Sequence, residues 1–498
     1  MNSDIVPSRN VFEEAYKNAQ AQLVYISVVN DLDTPVSAYE KICRGKPYAF
    51  LFESVQGGEQ RGRYSIMGFS PDLVWRSFGD MSEVARGERS ENYAPMDGSP
   101  LEALRRILNE SAFDIPHGLP PMATGLFGYL GYDLVRQVEH LPGINPDPIG
   151  TPDAIMVRPT IVAVFDQILQ EIILATPVYP SDLPADAAYT QACKRLESVE
   201  SGLSLPKPGS CRKAAPETHD QRLVGTDREI FKSRVAKAKA YIEAGDVFQV
   251  VIGQRLETDF TYHPFALYRS LRRMNPAPFL YFLDFDDHAI IGSSPEILVR
   301  LRNRTVTIRP VAGTRPRGKT GAEDLANETD LLSDEKECAE HLMLLDLGRN
   351  DVGRTAQSGT VTVTERNIVE RYSHVMHIVS NIEGRIKDGL DALDALMAGF
   401  PAGTVSGAPK VRAMEIIDEL EAEKRGIYGG AVGYISAGGD MDTAIALRTG
   451  VVKNGKLHVR AGAGIVADSH PDLEFEETLH KAAALFRAAD HCGQFDGN

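Results

Sequence analysis

The sequence predicts an α+β fold in which mixed or mostly antiparallel sheets are covered by helices. The predicted strands and helices do not alternate regularly, which argues against a doubly wound parallel sheet. The segments Phe279–Phe285 and Ala289–Gly292 are joined by a short polar turn, as in an antiparallel hairpin. With 498 residues, the chain is long enough for roughly two or three domains and a large buried core.

The first region, residues 11–177, combines short strands with helices. Its predicted elements are strands at Ala49–Ser54, Ser65–Phe69, Gly125–Tyr129 and Thr160–Phe165 and a helix at Leu101–Asn109. Residues 178–225 are richer in Pro, Ser, Ala and Asp, with one predicted helix near Tyr189–Val199. Within them, Leu205–Leu223 is the predicted linker because it is rich in proline and polar residues.

The third region, residues 226–490, opens with Thr226 and Glu229 at the spacing of a capping box. The helix that follows places Ile230, Ala238 and Ile242 near one face. A strand at Val247–Leu256 comes next. The later predicted elements are a helix at Asp334–Leu347, a strand-like run at Tyr372–Val379, a helix at Val411–Lys424, strands at Ala431–Ser436 and Thr443–Thr449, and a helix opened by Pro471 with Ser469 as its candidate cap.

Composition excludes several classes of function. The formal net charge of -16 argues against binding to nucleic acid or to an anionic membrane surface. The cysteines are scattered without metal-type pairing, which suits a reducing compartment. Residues 1–10 lack the apolar stretch of a signal peptide, and no apolar run is long enough to span a bilayer. We therefore expect a cytoplasmic enzyme.

Two helices each carry a pair of glutamates at helical spacing. Glu337 and Glu340 share one helix face, as do Glu474 and Glu477 near the C-terminus, with Lys481 one turn beyond. A solvated helix face is the commoner meaning of such a pattern. Alternatively, the four carboxylates bind one divalent cation such as Mg²⁺, which takes hard oxygen ligands. The spacing alone leaves both interpretations open.

Glycines and a few polar residues suggest an anion site. The segment Val459–Ala467 has the pattern G-x-G-x-x-A, but the chain ends too soon for a dinucleotide-binding unit. Its backbone amides near Gly462–Gly464 are better suited to a substrate carboxylate. The segment Gly403–Lys410 lacks the spacing of a phosphate-binding loop. Three other polar residues have a common structural interpretation. Arg448 could form an ion pair, Tyr428 could pack in the core, and His377 could be buried and hydrogen-bonded.

The tract Arg425–Tyr434, together with Pro401–Lys410 and Leu345–Arg354, resembles the chorismate-utilising enzymes. The resemblance spans about Val11 to Ala488, apart from the linker. It implies two large sheets packed together with helices outside and an active cleft between them. The plainest role of Leu345–Arg354 is structural, as a helix end held by ion pairs.

The resemblance also implies roles for individual residues. Glu340 and Glu477 match direct ligands of Mg²⁺, and Glu337 and Glu474 match the outer partners. The matched substrate-binding groups are Tyr428, Arg448, Lys481 and the amides of Gly462, Ala463 and Gly464. The matched catalytic groups are His377 for proton transfer in the aromatising step, Glu296 as the acid that protonates the departing ring hydroxyl, and Thr404 in the ring site.

Two positions discriminate between the chemistries of this family. Ala312 stands where enzymes that make 4-amino-4-deoxychorismate carry a nucleophilic lysine. Gln249 stands where isochorismate and salicylate producers carry a lysine that activates water. Both favour attack by ammonia, and hence a Mg²⁺-dependent lyase that forms anthranilate and pyruvate, the first committed step of tryptophan biosynthesis. Gly253 departs from the family, which usually has serine there.

The N-terminal region resembles a tryptophan feedback site. The residues concerned are Glu53, Ser54, Arg63, Pro278 and Phe279. Glu53 or backbone carbonyls would meet the ligand ammonium, and Pro278 and Phe279 would form part of the indole slot. The chain lacks the cysteine motif of a glutamine amidotransferase, so we expect such a partner subunit, and hence a hetero-oligomer, to supply ammonia. The alternatives are an aminodeoxychorismate or isochorismate synthase and a non-catalytic, tryptophan-sensing subunit.

Overall fold

The structure is a computed structural model that describes residues 5–54, 62–87, 92–206, 224–372 and 375–495. In these residues, 21 strands form one continuous hydrogen-bonded sheet. Neighbouring strands pair antiparallel. Most of the predicted linker, residues 207–223, lies outside the described residues.

The strands are short except for a few in the middle of the sheet. They are β1 (Gln22–Val29), β2 (Phe50–Glu53), β3 (Tyr64–Phe78), β4 (Met81–Arg86), β5 (Tyr93–Met96), β6 (Gly125–Leu130), β7 (Ala154–Asp166), β8 (Glu171–Val178), β9 (Gln249–Asp259), β10 (Phe279–Asp284), β11 (His288–Ser294), β12 (Ile297–Arg302), β13 (Thr305–Ile308), β14 (Val311–Pro316), β15 (Thr362–Arg371), β16 (Val375–Arg385), β17 (Gly407–Ala408), β18 (Ala431–Ser436), β19 (Met441–Ile445), β20 (Thr449–Lys453) and β21 (Lys456–Ile465).

The α-helices lie on the outside of this sheet. They are α1 (Arg9–Lys17), α2 (Pro35–Ala38), α3 (Pro100–Glu110), α4 (Ala185–Leu203), α5 (Arg228–Glu243), α6 (Pro264–Met274), α7 (Gly321–Ser333), α8 (Glu335–Thr355), α9 (Ala392–Gly399), α10 (Lys410–Leu420) and α11 (Pro471–Asp490). Shorter helical turns include Gly403–Val405, which lies beside the site described below. No helix of the described ranges is long and apolar enough to cross a membrane.

Two long strands, β3 and β7, pair along their length and divide the sheet into two arms. One end of this pair continues through β8 and β2, and the other through β6 and β4. A register shift between Pro71 and Leu73 lies between the two ends, where a bulge bends the strand. The first arm runs β1-β8-β7-β3-β2-β10-β11-β20-β21-β9-β17, and the second β5-β4-β3-β7-β6-β18-β19-β12-β13-β16, with β14 and β15 both on β16.

The two arms pack face to face, with helices on their outer surfaces. Phe50 of the first arm stacks on Phe127 of the second at 4.6 Å between ring centroids, inside one buried apolar cluster. Helices α1, α4, α6 and α11 cover the first arm, and α3, α8 and α9 cover the second. This arrangement confirms the predicted α+β fold of two large packed sheets. The prediction did not include the continuity of the two sheets through β3 and β7.

The start of α5 differs from the prediction. Asp227, not Thr226, is the N-cap residue, and its side chain accepts the N–H groups of Glu229 and Ile230. A carboxylate at this position also interacts favourably with the positive end of the helix dipole. Because the helix begins at Arg228, its buried stripe runs through Phe231, Val235 and Ala238, and Ile230 is 51% exposed. The predicted capping box was wrong, and of the three residues predicted to lie near one face only Ala238 belongs to the buried stripe.

Three other boundaries were also wrong. The predicted helix Val411–Lys424 ends at Leu420, and Glu421 then lies buried outside it. The predicted strand Thr443–Thr449 is two strands, because Arg448 has a φ of +49° between them. Ser469 does not cap α11, since its hydroxyl accepts the N–H of Val466 instead.

Candidate active site

The glycine-containing strand β21 ends at a partly free sheet edge. Its partner β20 extends only as far as Gly450, opposite Val459, so beyond that point β21 is paired only with β9. In the register with β9, Gly462 lies opposite Gly253 and Gly464 opposite Val251.

Gly253 and Val251 direct their N–H groups away from β21. They donate to Glu421 Oε1 and to Ser406 O, respectively. In an antiparallel pair, the N–H groups of two directly opposed residues either both point toward the partner strand or both point away from it. The amides of Gly462 and Gly464 therefore point away from β9, off the free edge, whereas that of Ala463 faces β9. Two of the three predicted amides are thus available to an anion.

Tyr428 and Lys481 both lie against Gly462. A Cβ atom on Gly462 would lie 2.8 Å from the Tyr428 hydroxyl oxygen, so only glycine fits there. Lys481 Nζ donates to the carbonyl oxygen of Gly462 at 3.0 Å and also pairs with Glu477 at 2.6 Å. The structure therefore brings together a tyrosine hydroxyl, an ammonium group and a free amide edge, as the anion site requires.

Arg448 is a half-buried cation in the turn between β19 and β20. Its guanidinium has no hydrogen bond or ion pair with any described residue, and burial lowers its pKa. Its left-handed backbone conformation is uncommon for a residue other than glycine and is often found at functional sites. A desolvated guanidinium without a protein counter-charge is well suited to bind a carboxylate with its two-pronged donor face.

Glu296 lies in the connection between β11 and β12 and is 6% exposed. Within the described residues, its carboxyl group accepts hydrogen bonds from the Thr404 hydroxyl, at 3.2 Å to Oε2, and from the backbone N–H of Val311. Burial raises the pKa of Glu296 to about 8. The carboxyl group is therefore mostly protonated at neutral pH and can act as an acid. Sequence analysis named both Glu296 and Thr404 but did not predict the contact between them.

His377 occupies the buried face of β16, as expected from its apolar surroundings. Its Nδ1 lies 2.8 Å from Gly313 O and 3.1 Å from Thr314 Oγ1. A carbonyl oxygen can only accept, so Nδ1 carries the proton and Nε2 keeps its lone pair. Burial lowers the pKa of the imidazole, which keeps His377 neutral near pH 7 and able to act as a base.

Gln249 connects the glycine strand with the acidic helix α8. Its Nε2 donates to Glu340 Oε1 at 3.0 Å, while its buried Oε1 has no partner in the described part of the chain. A Cβ atom on Gly464 would lie 2.5 Å from Gln249 Nε2. Ala312, on β14, provides no functional group near this site. The first arm contributes Gln249 and the glycines, and the second contributes Ala312 and His377, which agrees with a cleft formed by both arms.

The four glutamates form two pairs of like charges. Burial raises the pKa of Glu337, with a further contribution from Glu340, and burial likewise raises that of Glu474, with a contribution from Glu477. Lys336 lies between the helices: it pairs with Asp468 at 2.9 Å and interacts electrostatically with Glu340 and Glu474. Mutually repelling, partly buried carboxylates are stabilised by a bound cation.

The carboxylate oxygens of these four glutamates are the kind of ligand that Mg²⁺ prefers, but water molecules would have to complete its coordination. In residues 5–495, apart from the undescribed gaps, no group of three or more His, Cys, Asp or Glu side chains is arranged to hold a metal. A Mg²⁺ ion commonly takes one or two direct carboxylates and several waters. The residues are therefore compatible with two direct ligands and two that act through water.

The tract Leu345–Arg354 forms the C-terminal part of α8 and is held by ion pairs, as predicted. Asp351 pairs with the buried Lys410 at 2.8 Å, and Arg349 pairs with Asp346 at 2.9 Å on the surface. The Asp351–Lys410 pair joins α8, which carries Glu337 and Glu340, to the start of α10.

A cavity of about 960 Å³ lies between the two arms. Its lining includes all the residues predicted for the tryptophan site: Glu53, Ser54, Arg63, Pro278 and Phe279. It also includes Pro295 and Ile297, the two neighbours of Glu296. The cavity therefore adjoins the segment that carries the buried acid.

Two charged residues of the predicted tryptophan site, Glu53 and Arg63, already have partners. Glu53 accepts two hydrogen bonds from Arg272, at 2.6 and 3.0 Å, and a third from the hydroxyl of Tyr268 at 2.5 Å. Arg63 pairs with Asp166 at 2.6 Å. Of the two predicted ways to meet a ligand ammonium, backbone carbonyls are therefore favoured over the Glu53 carboxylate.

Sequence analysis missed several residues that support the site. Glu421 and Arg425 form a buried ion pair at 2.6 Å behind β9. Tyr372 lies beside His377, with 5.6 Å between ring centroids. Helix α6, which supplies Arg272 to Glu53, was also missed, although Pro264 at its start and the apolar spacing of Phe265 to Leu271 were available signals.

Comparison with known proteins connects this geometry with a family. A family model described as chorismate binding enzyme matches residues 49–487. Anthranilate synthase component 1 of Cereibacter sphaeroides is 55% identical, over 97% of both chains. Anthranilate synthase component 1 of Pseudomonas putida is 49% identical, over 92% of this chain and 93% of the relative.

A solved structure is also similar over most of its length. Anthranilate synthase component I from Streptococcus pneumoniae TIGR4 superimposes with a TM-score of 0.76 at 38% sequence identity, covering 92% of this chain and 98% of that one. The chain therefore belongs to the family of chorismate binding enzymes and groups there with relatives named anthranilate synthase component 1.

Proposed function

We propose that the chain converts chorismate and ammonia to anthranilate and pyruvate. The observation that carries this proposal is the neutral Gln249 bound to Glu340, at the position where a lysine would activate water. Ammonia needs no such base, because its lone pair is already available. Ala312 cannot act as a covalent nucleophile, which disfavours formation of 4-amino-4-deoxychorismate. The names of the relatives support the same chemistry.

Substrate binding is assigned to the cations and free amides of the cleft. Arg448 and the Tyr428 hydroxyl bind the enolpyruvyl carboxylate, since the guanidinium can make a two-pronged contact. The amides of Gly462 and Gly464, with Lys481 beside them, bind the remaining anionic groups. A Mg²⁺ ion held by Glu340 and Glu477, with Glu337 and Glu474 behind them, would supply the positive charge that orients the ring carboxylate.

Glu296 is the acid of the first step. Ammonia adds at C2 of the ring as the C4 hydroxyl leaves, and Glu296 gives its proton to that hydroxyl, so that water departs. A pKa of about 8 keeps most of the acid protonated at neutral pH. Thr404 holds the carboxyl group in place through its hydroxyl.

His377 is the base of the second step. Its Nε2 accepts the proton from C2, the electrons of that C–H bond complete the aromatic ring, and the bond between ring C3 and the enolpyruvyl oxygen breaks. The enolpyruvate that leaves takes up a proton at its methylene carbon and becomes pyruvate. The hydrogen bond from Nδ1 to Gly313 O fixes the tautomer in which Nε2 is free to accept. Aromatisation makes this step strongly downhill.

Ammonia supply and regulation complete the proposal. At neutral pH most ammonia is protonated and cannot attack, so a glutamine amidotransferase partner would deliver it. The relatives' designation as component 1 supports the existence of a partner subunit. Tryptophan would occupy the cavity between the arms and inhibit the reaction, with its indole against Pro278 and Phe279.

Product identification tests the proposed reaction. Purified protein is incubated with chorismate, Mg²⁺ and ammonium, and the products are separated. We expect fluorescent anthranilate and an equal amount of pyruvate. Formation of 4-amino-4-deoxychorismate or isochorismate would assign the chain to a sibling activity, and absence of any turnover would favour a tryptophan-sensing subunit.

The metal assignment has its own test. Glu340→Ala should abolish turnover while leaving the circular dichroism spectrum intact, because it removes a direct carboxylate ligand. Glu335→Ala, in the first turn of the same helix, is the matched control and should keep wild-type turnover. Unchanged turnover of the Glu340 variant would refute the metal site.

A further inference from the structure

A buried ion-pair cluster lies behind the strand that presents the substrate-facing amides. We call Glu421, Arg425 and Arg460 the Glu421 cluster; they are 3%, 4% and 8% exposed. Glu421 Oε1 lies 2.6 Å from Arg425 Nη2, and Glu421 Oε2 lies 3.0 Å from Arg460 Nη1. Burial alone would raise the pKa of the Glu421 carboxyl, but the two arginines hold it below its ordinary value, so it stays ionised.

The cluster binds the backbone of β9 at the two residues that face the substrate-binding glycines. Glu421 Oε1 accepts the N–H of Gly253 at 2.7 Å, and Arg425 Nη2 donates to the carbonyl of Val251 at 2.8 Å. Across the ladder these residues lie opposite Gly462 and Gly464. The short strand β17 pairs only with Gln249 and Val250, so the cluster completes the hydrogen bonding of β9 beyond it.

The same guanidinium reaches two more segments of the site. Arg425 Nη1 donates to the carbonyl of Val405 at 2.5 Å, next to Thr404, the partner of Glu296. The Arg425 guanidinium also lies 5.6 Å from the centroid of the Tyr428 ring. One side chain therefore connects the amide-presenting strands, the turn that holds the acid and the loop that carries Tyr428.

We infer that Arg425 and Glu421 are positioning residues that fix these three segments relative to one another and so set the affinity for chorismate. The inference rests on the proposed function, because it assumes that these segments contact chorismate. It also gives Gly253 a role. A Cβ atom at this position would lie 3.2 Å from Glu421 Oε1 and from Ala461 O, so a larger residue requires the carboxylate or the neighbouring strand to shift by a few tenths of an ångström.

Arg425→Lys tests this inference because it keeps the charge but loses the planar fork that joins Glu421, Val251 and Val405. The matched control is Arg158→Lys, which disrupts another buried bidentate pair, with Asp72 at 2.7 and 3.1 Å, on β7. Chorismate affinity is measured by calorimetry with Mg²⁺ but without ammonia or glutamine, which prevents amination. Melting temperatures are measured in parallel.

We expect Arg425→Lys to weaken chorismate binding about 10- to 100-fold, in line with the loss of charge-assisted hydrogen bonds. Arg158→Lys should lower the melting temperature but leave the dissociation constant within about twofold of wild type. Gly253→Ala, which keeps every charge, should weaken binding in the same direction by a smaller factor, and it replaces Arg425→Lys if that variant does not fold. Wild-type affinity in the folded Arg425 variant, or in the replacement, would overturn the inference, as would equal weakening by Arg158→Lys.

The wild-type protein separates failure of this inference from failure of the proposed function. If it does not bind chorismate at all, the proposed function and the inference both fall. If it binds chorismate but forms a product other than anthranilate, only the proposed reaction falls, and the comparison of Arg425→Lys with Arg158→Lys still decides the positioning role.

Discussion

The active cleft and the cavity between the arms differ in whether their charged residues have partners within the protein. In the cleft, Arg448 has no counter-charge among the described residues. Glu296 accepts hydrogen bonds from the Thr404 hydroxyl and the backbone of Val311 but has no cationic partner among the described residues. In the cavity, Glu53 is held by Arg272 and Tyr268, and Arg63 by Asp166. Charges without partners in a desolvated site are costly, and a bound ligand of opposite charge removes that cost.

This difference indicates what each site can do. The cleft is prepared for a ligand with negative charge and for proton transfer, because its acid is protonated and its guanidinium is free. Around the predicted tryptophan site the cavity offers backbone groups and apolar walls to a ligand, since the charges of Glu53 and Arg63 are already neutralised within the protein. We therefore propose the cleft as the place for chemistry and the cavity as the binding place of a regulatory ligand with an apolar side chain.

The largest effect is expected from Glu296→Gln. The amide keeps the size of the side chain but cannot give up a proton, so kcat for anthranilate formation should fall about 10²- to 10⁴-fold. The control is Asp284→Asn, at the end of β10, where burial also raises a carboxyl pKa, to about 6, but outside the cleft. A kcat of the Glu296 variant within a factor of two of wild type would show that burial of a carboxyl is not enough to make it the acid.

The second effect concerns the free guanidinium. Arg448→Lys should reduce kcat/KM for chorismate about 10- to 100-fold, because the ammonium cannot make the two-pronged contact. Arg302→Lys is the matched control in the cavity, where Arg302 lies near Asp442 at 3.4 Å. It should leave kcat/KM unchanged. Steady-state kinetics decide between the two sites, and equal losses in both variants would remove the distinction drawn between them.

The third effect is a dependence on pH. Because Glu296 must be protonated, kcat should fall as pH rises through about 8, and Glu296→Gln should lack that limb. The concentration of free ammonia is kept constant by adjusting total ammonium at each pH. A wild-type profile that is flat up to about pH 10 would exclude Glu296 as the acid.

The same shift affects stability. The folded-state pKa of Glu296 lies above its ordinary value, so between the two values the folded protein binds more protons than the unfolded chain. The resulting contribution to stability is fully present below the ordinary pKa and is lost as pH rises through about 8. The melting temperature of Glu296→Gln should depend less on pH across this range than that of wild type.

The smallest effect on catalysis is expected in the cavity. Ser54→Phe fills space beside Phe279, so the inhibition constant of tryptophan should rise at least about tenfold, in line with the cost of overpacking, while kcat without tryptophan stays at the wild-type value. Ser27→Phe, on the exposed face of β1, is the control and should leave inhibition unaltered. An unchanged inhibition curve for Ser54→Phe would mean that tryptophan binds elsewhere.

Local patterns were sufficient for much of the fold. Pro471 marked the start of α11, and the apolar run around His377 identified the strand β16. Such patterns failed where neighbouring residues were equally suited to the same role, such as capping a helix. Thr226 and Asp227 are both good capping residues, and only the packing of Phe231 decides which one lies at the helix boundary.

The candidate site was less accessible to such reasoning. Glu421 falls within the predicted helix Val411–Lys424, so nothing in the sequence pattern indicated that its carboxylate is buried. One of its partners, Arg460, lies on the distant strand β21. Likewise, the occupation of Glu53 by Arg272 depends on a helix more than 200 residues away in sequence. Motif resemblance identified the groups that contact substrate, but the partners that neutralise or position them emerge only from the packing of distant segments.

One isotope experiment tests the central claim most directly. Wild type and Glu296→Gln are incubated with chorismate, Mg²⁺ and ¹⁵N-ammonium, and the masses and amounts of the products are measured by mass spectrometry. The account predicts that wild type forms anthranilate carrying one ¹⁵N atom together with equimolar pyruvate, and that the variant forms almost none. Unlabelled isochorismate, labelled 4-amino-4-deoxychorismate, or equal anthranilate from both proteins would contradict it.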